Sequence, residues 1–141
     1  MVADEVRAEE SWVVDSSAVA LAVRQRAREV ALELGFGAKA SEAVTIAVSE
    51  LANNIVDHAG SGHILIRTVR DEARICVVIV ARDRGPGIAD IDWALTDGCS
   101  SAGGLGCGLP AVRRLMDEFR IDSVVGRGTE ITVRKWLAGP T

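Results

Sequence analysis

The chain has 141 residues, 48% of them hydrophobic and 26% charged, with a formal net charge of −4. These figures describe one globular domain with a single core and exclude a disordered chain. A negative balance with no basic run argues against nucleic acid as a partner, and no apolar run approaches the ~18 residues of a membrane helix, so no membrane partner is expected either.

The opening MVADEVRAEESW has no apolar segment behind a basic patch, so no signal peptide is expected. Residues 11–14 (SWVV) predict a short strand. Asp15, Ser16 and Ser17 offer N-caps for a helix running to about Leu34, with Gly35 and Gly37 at its end. A second helix is predicted from about Ala38 to His58, closed by Gly60 and Gly62. HILIRTVR (63–70) alternates strictly, and ARICVVIVARD (73–83) is continuously apolar at its centre. Joined by the polar tip at 71–72, they predict an antiparallel hairpin whose second strand is central in a sheet. The turn RGPG follows, then a loop from Ile88 to Gly104 with one helical turn near Trp93. Pro110 suits the first position of a helix to about Phe119. FRIDSVV (119–125) and EITVRKWL (130–137) predict a closing hairpin around GRG. The whole reads as a single α+β domain, residues 1–141: a two-layer sandwich of a mixed, mostly antiparallel sheet with helices on one face.

On the second helix, steps of ~100° per residue put Val44, Val48, Leu51 and Ile55 in one stripe facing the sheet. Glu50 and Asn54 lie beside that stripe, one turn apart, in line with Ala43 and Ala47, while Asn53 and Asp57 point further out. An amide oxygen suits a hard cation such as Mg²⁺, and a carboxylate can orient or deprotonate an attacking hydroxyl; a solvated polar flank is the plainer alternative. Asp83, Gly85 and Gly87 form DxGxG after the central strand. The Asp can accept a hydrogen bond from an exocyclic amine and the glycines permit close approach of a flat ligand, although a plain strand-ending turn uses the same residues. Gly103, Gly104, Gly106 and Gly108 crowd into six residues before a helix. Their backbone N–H groups beside a helix N-terminus suit phosphate, with a flexible loop as the alternative. Neither a P-loop nor a dinucleotide fingerprint is present.

Other residues have bland readings. His58 reads as a cap or surface contact. Trp12, Trp93 and Trp136 read as packing residues, with Trp93 also suited to a partner surface. Arg113–Arg114 with Asp117–Glu118 read as a solvated helix face with i,i+4 ion pairs. Cys76, Cys99 and Cys107 are odd in number and lack CxxC spacing, which argues against a disulfide framework or zinc site and predicts a reducing cytoplasm. Cys107 reads as a small filler of the glycine loop.

In order, Glu50-x-x-x-Asn54, Asp83-x-Gly85-x-Gly87, Gly104-x-Gly106-x-Gly108 and Gly128–Thr129 resemble the N, G1 and G2 boxes and late Thr of the GHKL ATPase superfamily. The stretches VSELANNIVDHAGSG, DRGPGI, GGLGCGLPAVRRLMDEF and GRGTEITVRKWL are similar to the anti-sigma-factor serine kinases, nearest to the stressosome switch kinases, over about residues 12–137. The resemblance implies a Bergerat fold and a protein serine/threonine kinase using ATP and Mg²⁺. It implies Glu50 as general base, Asn54 as Mg²⁺ ligand, and Asp83 on the adenine amine with Thr129 helping through its hydroxyl or a water. Gly85 and Gly87 would make room for the base. The segment of Gly103, Gly104, Leu105, Gly106, Cys107 and Gly108 would embrace the phosphates, under a lid from Ile88 to Gly103 that brings Ser100 and Ser101 near them. The implied partners are STAS-domain scaffold or antagonist proteins as substrates, and a downstream output protein, phosphatase-type or another signalling enzyme. The chain departs from the family pattern at Asn53, where the family has Arg, and at Cys99 and Cys107. An ATP-binding module that docks without phosphoryl transfer is the alternative function, and the presence of Glu50 favours the kinase. A histidine kinase is not expected, for want of an upstream dimerisation helix carrying a phosphoacceptor His.

Overall fold

The computed structural model describes residues 5–96 and 108–137. Strand β1 (Glu5–Val14) leads into α1 (Ser17–Glu33) and α2 (Ala38–Asn54), which continues as a π-helical turn, Ile55–Ala59. Then come β2 (Gly62–Asp71), β3 (Arg74–Asp83), α3 (Ile91–Ala94), α4 (Leu109–Leu115), β4 (Glu118–Val124) and β5 (Gly128–Trp136). The sheet has the order β1-β2-β3-β5-β4, and every neighbouring pair is antiparallel. The expected mixed sheet is therefore antiparallel throughout among the described residues. The reason lies in the connections: β2–β3 and β4–β5 are hairpins, and α1 with α2 forms a helical hairpin that returns the chain to the end of the sheet where β1 stopped, Val14 facing Gly62.

Three boundaries differ from the sequence reading. β1 has ten residues where four were expected, because its charged first half is held from outside: Glu9 pairs with Arg67 of β2 at 2.6 Å, and Glu10 receives the Arg26 Nε–H of α1 at 2.8 Å. Those hydrogen bonds from Arg26 keep the Glu10 carboxyl below its ordinary pKa. α2 leaves the α-helical path at Asn54, before the expected His58. α4 stops at Leu115, short of the expected Phe119. Asp117 and Glu118 therefore lie outside the helix, and the expected helix-face pairing gives way to contacts with β5: Asp117 accepts from the Trp136 backbone N–H at 2.8 Å, and Glu118 from Trp136 Nε1 at 2.6 Å.

The ends of α1 follow local chemistry. Ser16 Oγ accepts from Val19 N–H at 3.2 Å as the N-cap, and Gly35 takes up φ +97° just past the C-terminus. The α2 stripe behaves as expected. Val44, Val48, Leu51 and Ile55 are buried against Ile64, Ile66, Val77, Ile79 and Val133 of the sheet. The opposite face of the sheet is also apolar at its centre, with Leu65, Val69, Cys76, Val78 and Val80 buried beside Trp136. So β2 does not alternate in burial: Ile64, Leu65 and Ile66 are all inside. On that outer face the apolar centre is flanked in register by Arg67–Glu9, Arg82–Glu130 and Arg134–Glu118. Arg74 lies over the Trp136 ring at 3.9 Å. Long charged side chains cover apolar surface with their stems while their heads stay in water.

Ile79 is fully buried on the central strand between the helices and its neighbours. Ile79→Ala should lower unfolding stability by about 2–5 kcal/mol, read from urea denaturation with an unchanged m-value. A loss below about 1 kcal/mol, the range of conservative swaps, would show that the core is not centred there.

Candidate functional site

The stripe that buries α2 decides where its polar neighbours go. Glu50 and Asn54 are half-buried at the edge of the helix, where it leaves the core. Directly after Asn54 the helix widens into its π turn. Such turns recur at functional sites. Here the turn keeps Ile55 inside and brings His58 onto the wall of a small cavity of about 40 Å³ between the helix and the sheet. His58, half-buried in the last turn of the helix, also lines that cavity. The cavity is walled by Leu51, Asn54, Ile55 and His58 on the helix side, and by Ala81, Asp83, Thr129 and Ile131 on the sheet side. Pro86, Gly87, Ile88 and Leu109 close it.

Asp83 is the last residue of β3, paired on one side with Gly62 and on the other with Thr129. A Cβ at Gly62 would run into the Arg82 carbonyl oxygen, and one at Gly128, whose φ is +130°, into that of Asp83. Asp83 Oδ1 accepts the Gly85 N–H at 2.9 Å, which turns the chain, and Asp83 lines the cavity. The two glycines of the turn serve different neighbours. Gly85 packs on the π turn, where an added Cβ would lie 2.7 Å from Ala59 Cβ. Gly87, at φ +75°, packs on the backbone of Val124 and Val125 and borders the cavity. Gly87 thus borders the cavity beside the β4–β5 hairpin, while Gly85 answers to helix packing.

Thr129 lines the cavity. Its Oγ1 is 2.8 Å from Ser123 Oγ, which also accepts the Ile88 N–H at 2.8 Å. Ser123 was not singled out from the sequence. A lone Ser in a strand carries no motif, and only the β4–β5 register, which sets it opposite Thr129, brings it in.

The glycine segment re-enters the described chain at Gly108, the N-cap of α4, with φ +129°. A Cβ there would run into Glu50 Oε2 and lie 2.9 Å from Glu50 Cδ. The carboxylate of Glu50 therefore rests against the end of the third box, on the side of α2 that also carries Asn54. Ser100, Ser101, Gly103, Gly104, Leu105, Gly106 and Cys107 lie outside the described residues, as does Cys99. Of the expected lid, the helical turn near Trp93 is present as α3, capped by Asp90 Oδ1 accepting the Trp93 N–H at 2.9 Å. Among the described residues no three His, Cys, Asp or Glu converge on a metal position. A cation held by the Asn54 amide oxygen would take its other ligands from phosphate and water, as Mg²⁺ commonly does.

A larger, open depression of about 770 Å³ lies on the outer face of the sheet, bordered by Arg82, Arg84, Arg127 and Glu130. It is also bordered by Asp83 and Thr129, and the smaller, inner cavity is where Asn54 joins them.

Residues 14–135 match the histidine kinase-like ATPase domain family. This chain belongs to that family. Within it, the chain is 53% identical over 117 residues to the serine/threonine-protein kinase RsbT of Bacillus subtilis (strain 168), covering 83% of this chain and 88% of that one. The mycobacterial sensor histidine kinase MprB shares the ATPase fold with a TM-score of 0.55, over 92% of this chain and 97% of that one, at 18% identity. That second likeness is one of fold alone. The α+β sandwich expected from the sequence is thus the fold of the histidine kinase-like ATPases.

If Asp83 receives the amine of a bound adenine, Asp83→Asn replaces a charged acceptor with a group whose NH₂ opposes that amine. ATP affinity by calorimetry should fall roughly 10–150-fold, the range of a charged hydrogen bond, with the thermal unfolding midpoint little changed. Unaltered affinity in a folded variant would remove Asp83 from the nucleobase contact.

Proposed function

We propose that this GHKL-type protein serine/threonine kinase uses ATP and Mg²⁺ to phosphorylate a Ser or Thr at a helix N-terminus of a STAS-domain scaffold or antagonist protein in the cytoplasm. Once released, the kinase engages and activates a downstream output protein, phosphatase-type or another signalling enzyme. The observation that carries this reading is the position of the Glu50 carboxylate. It rests against Gly108, one helical turn from Asn54, and Asn54 lines a cavity whose far wall holds Asp83 and Thr129.

The lining of the cavity suits the edge of a nucleobase, the remainder of a nucleotide lying outside its 40 Å³. Leu51, Ile55, Ile88 and Ile131 offer apolar walls for a flat base, with Asp83, Thr129, Asn54 and His58 as the few polar groups that orient a ligand. When bound, ATP with Mg²⁺ supplies the phosphoryl group and the cationic charge that phosphoryl transfer needs. Asp83 binds the exocyclic amine through the oxygen that Gly85 leaves free. Asn54 holds the metal through its amide oxygen. Glu50, close to the third box and in no ion pair among the described residues, orients the substrate hydroxyl and takes its proton. Phosphate is expected against the backbone of residues 103–108, beside the N-terminus of α4.

The protein substrate is expected at the lid side. Trp93 is 40% exposed beside Asp90 and Asp92. An aromatic with a polar rim suits the centre of a docking surface. A phosphate newly placed on the partner meets this acidic surface and a kinase of net charge −4, and like-charge repulsion favours release.

Glu50→Ala should keep ATP affinity and lose roughly 10²–10⁴-fold in transfer rate, whereas Asn54→Ala should weaken Mg²⁺-dependent ATP binding as well. Transfer at the normal rate by Glu50→Ala, measured with labelled ATP and a cognate STAS protein, would remove the base assignment.

Mixing kinase, Mg-ATP and that partner should place phosphate on Ser or Thr by mass spectrometry and dissolve the complex on gel filtration. Phosphate on His or Asp, or a complex that tightens, would contradict the switch.

A further inference from the structure

The outer face of the sheet is not covered evenly. Towards its Asp71–Arg74 end the apolar centre lies under partnered cations: Arg67 with Glu9, Arg134 with Glu118, and Arg74 over the Trp136 ring. At the Asp83 end lies the open depression of about 770 Å³, and every strand of the sheet lines it. Ser11, Leu65, Arg82, Glu130 and Val124 come from β1, β2, β3, β5 and β4 in turn. At a strand spacing of about 4.8 Å it runs about 19 Å across the sheet, the length of about six extended residues.

The acidic groups of the lining are already answered. Glu130 pairs with Arg82 at 3.1 Å, Asp122 with Arg120 at 3.2 Å, and Asp83 accepts the Gly85 N–H. Arg84 and Arg127 have no such partner. Both are exposed, and neither makes an ion pair or side-chain hydrogen bond among the described residues. They also stand together. Arg127 is followed by Gly128, where an added Cβ would lie 2.8 Å from Arg84 Cα. Their two turns are tied to each other, Gly126 N–H donating to the Pro86 carbonyl oxygen at 2.9 Å and Ile88 N–H to Ser123 Oγ at 2.8 Å. Two neighbouring cations without a counter-charge make a local positive field on a chain of net charge −4.

The ground around them is apolar. Leu65 lies buried at the floor of the depression. Val124 lines it and is more than half exposed, as is Val13, which stands opposite His63 in the β1–β2 ladder. Arginine beside apolar side chains is the composition of a protein interface. A small anion has no use for the valines, and the net charge of the chain disfavours nucleic acid. We propose that this end of the outer face is a docking site for an extended acidic segment of a protein partner, which sets carboxylates on Arg84 and Arg127 and an apolar side chain over Leu65 and Val124. The surface shares no residue with the lid side around Trp93, and docking there needs no nucleotide.

The test is fluorescence anisotropy with a labelled peptide of about six alternating Glu and Leu residues, beside counterparts carrying Gln or Lys in place of Glu. Wild type should bind the Glu peptide more tightly than the Gln peptide, and less tightly as salt is raised. Arg84→Ala with Arg127→Ala should weaken the Glu peptide roughly 2–30-fold, the range of two exposed ion pairs, with thermal unfolding as the check on folding. Arg28→Ala, which removes the same charge from an exposed position on α1 in the helix layer, should leave binding unchanged. Arg84→Glu with Arg127→Glu should turn the preference to the Lys peptide, a gain that misfolding cannot produce. Equal binding of the Glu and Gln peptides by wild type, no binding of the Glu peptide, or a loss in Arg28→Ala as large as in the paired variant overturns the site. Self-association of wild type on gel filtration that disappears in the paired Ala variant makes the occupant a second copy of this chain and overturns the partner assigned here.

Discussion

How closely two strands can approach the backbone at Asp83 governs the rest of the site. β2 and β5 close on β3 from both sides at its last residue: Gly62 faces Asp83 from β2 and Thr129 faces it from β5, and at Gly62 and at Gly128, the neighbour of Thr129, an added side chain would meet the β3 backbone. Because the ladder continues on both sides up to that residue, Asp83 is held as rigidly as a mid-strand position although it stands at a strand end. Preorganised polar groups on rigid elements orient ligands better than groups on loops. The turn after Asp83 then starts from a fixed point, with its first hydrogen bond made back to the Asp83 carboxylate.

From that point the site grows by bracing. The turn leans on Ala59 of the π turn through Gly85 and on the β4–β5 hairpin through Gly87, so the helix layer and the sheet edge hold it from opposite sides. Glu50 and Gly108 meet on the helix side, and Asp83 and Thr129 on the sheet side. Residues distant in the chain therefore share a volume that no single element encloses. The large apolar contact of α2 with the sheet is what keeps the two sides in register. A site built this way inherits its geometry from the core.

Much of this was legible in the sequence where a pattern repeats. The α2 stripe from Val44 to Ile55, the β2–β3 hairpin around its polar tip and the proline-started α4 all follow from periodicity and turn chemistry. The three boxes and Thr129 are expectations that the order of their motifs carries through the resemblance. What stayed hidden depends on partners far away in the chain. The charged first half of β1 is a strand because Arg67 and Arg26 answer its carboxylates, and α4 ends early because β5 takes Asp117 and Glu118. Ser123 matters only through the residue opposite it. His58 reaches the cavity because the helix changes pitch, and no local signal in IVDHA announced that change.

The π turn has a consequence for how this helix tolerates length changes. A π turn spans one residue more than an α turn between its hydrogen-bonded partners. In an α-helix each residue adds about 100° of rotation and 1.5 Å of rise. Deleting one residue between Ile55 and Ala59 would let the regular helix run on, with Ile55 still anchored in the core. Everything beyond would change in phase and rise, shifting the His58 position along the cavity wall and moving the surface on which Gly85 rests. The extra residue acts as a phase shifter between a helix tuned to the core and a loop tuned to the ligand. Single-residue insertions or deletions are therefore absorbed far more readily in the open turn at Gly35 and Gly37, where an added side chain meets nothing within 4 Å, than in this one.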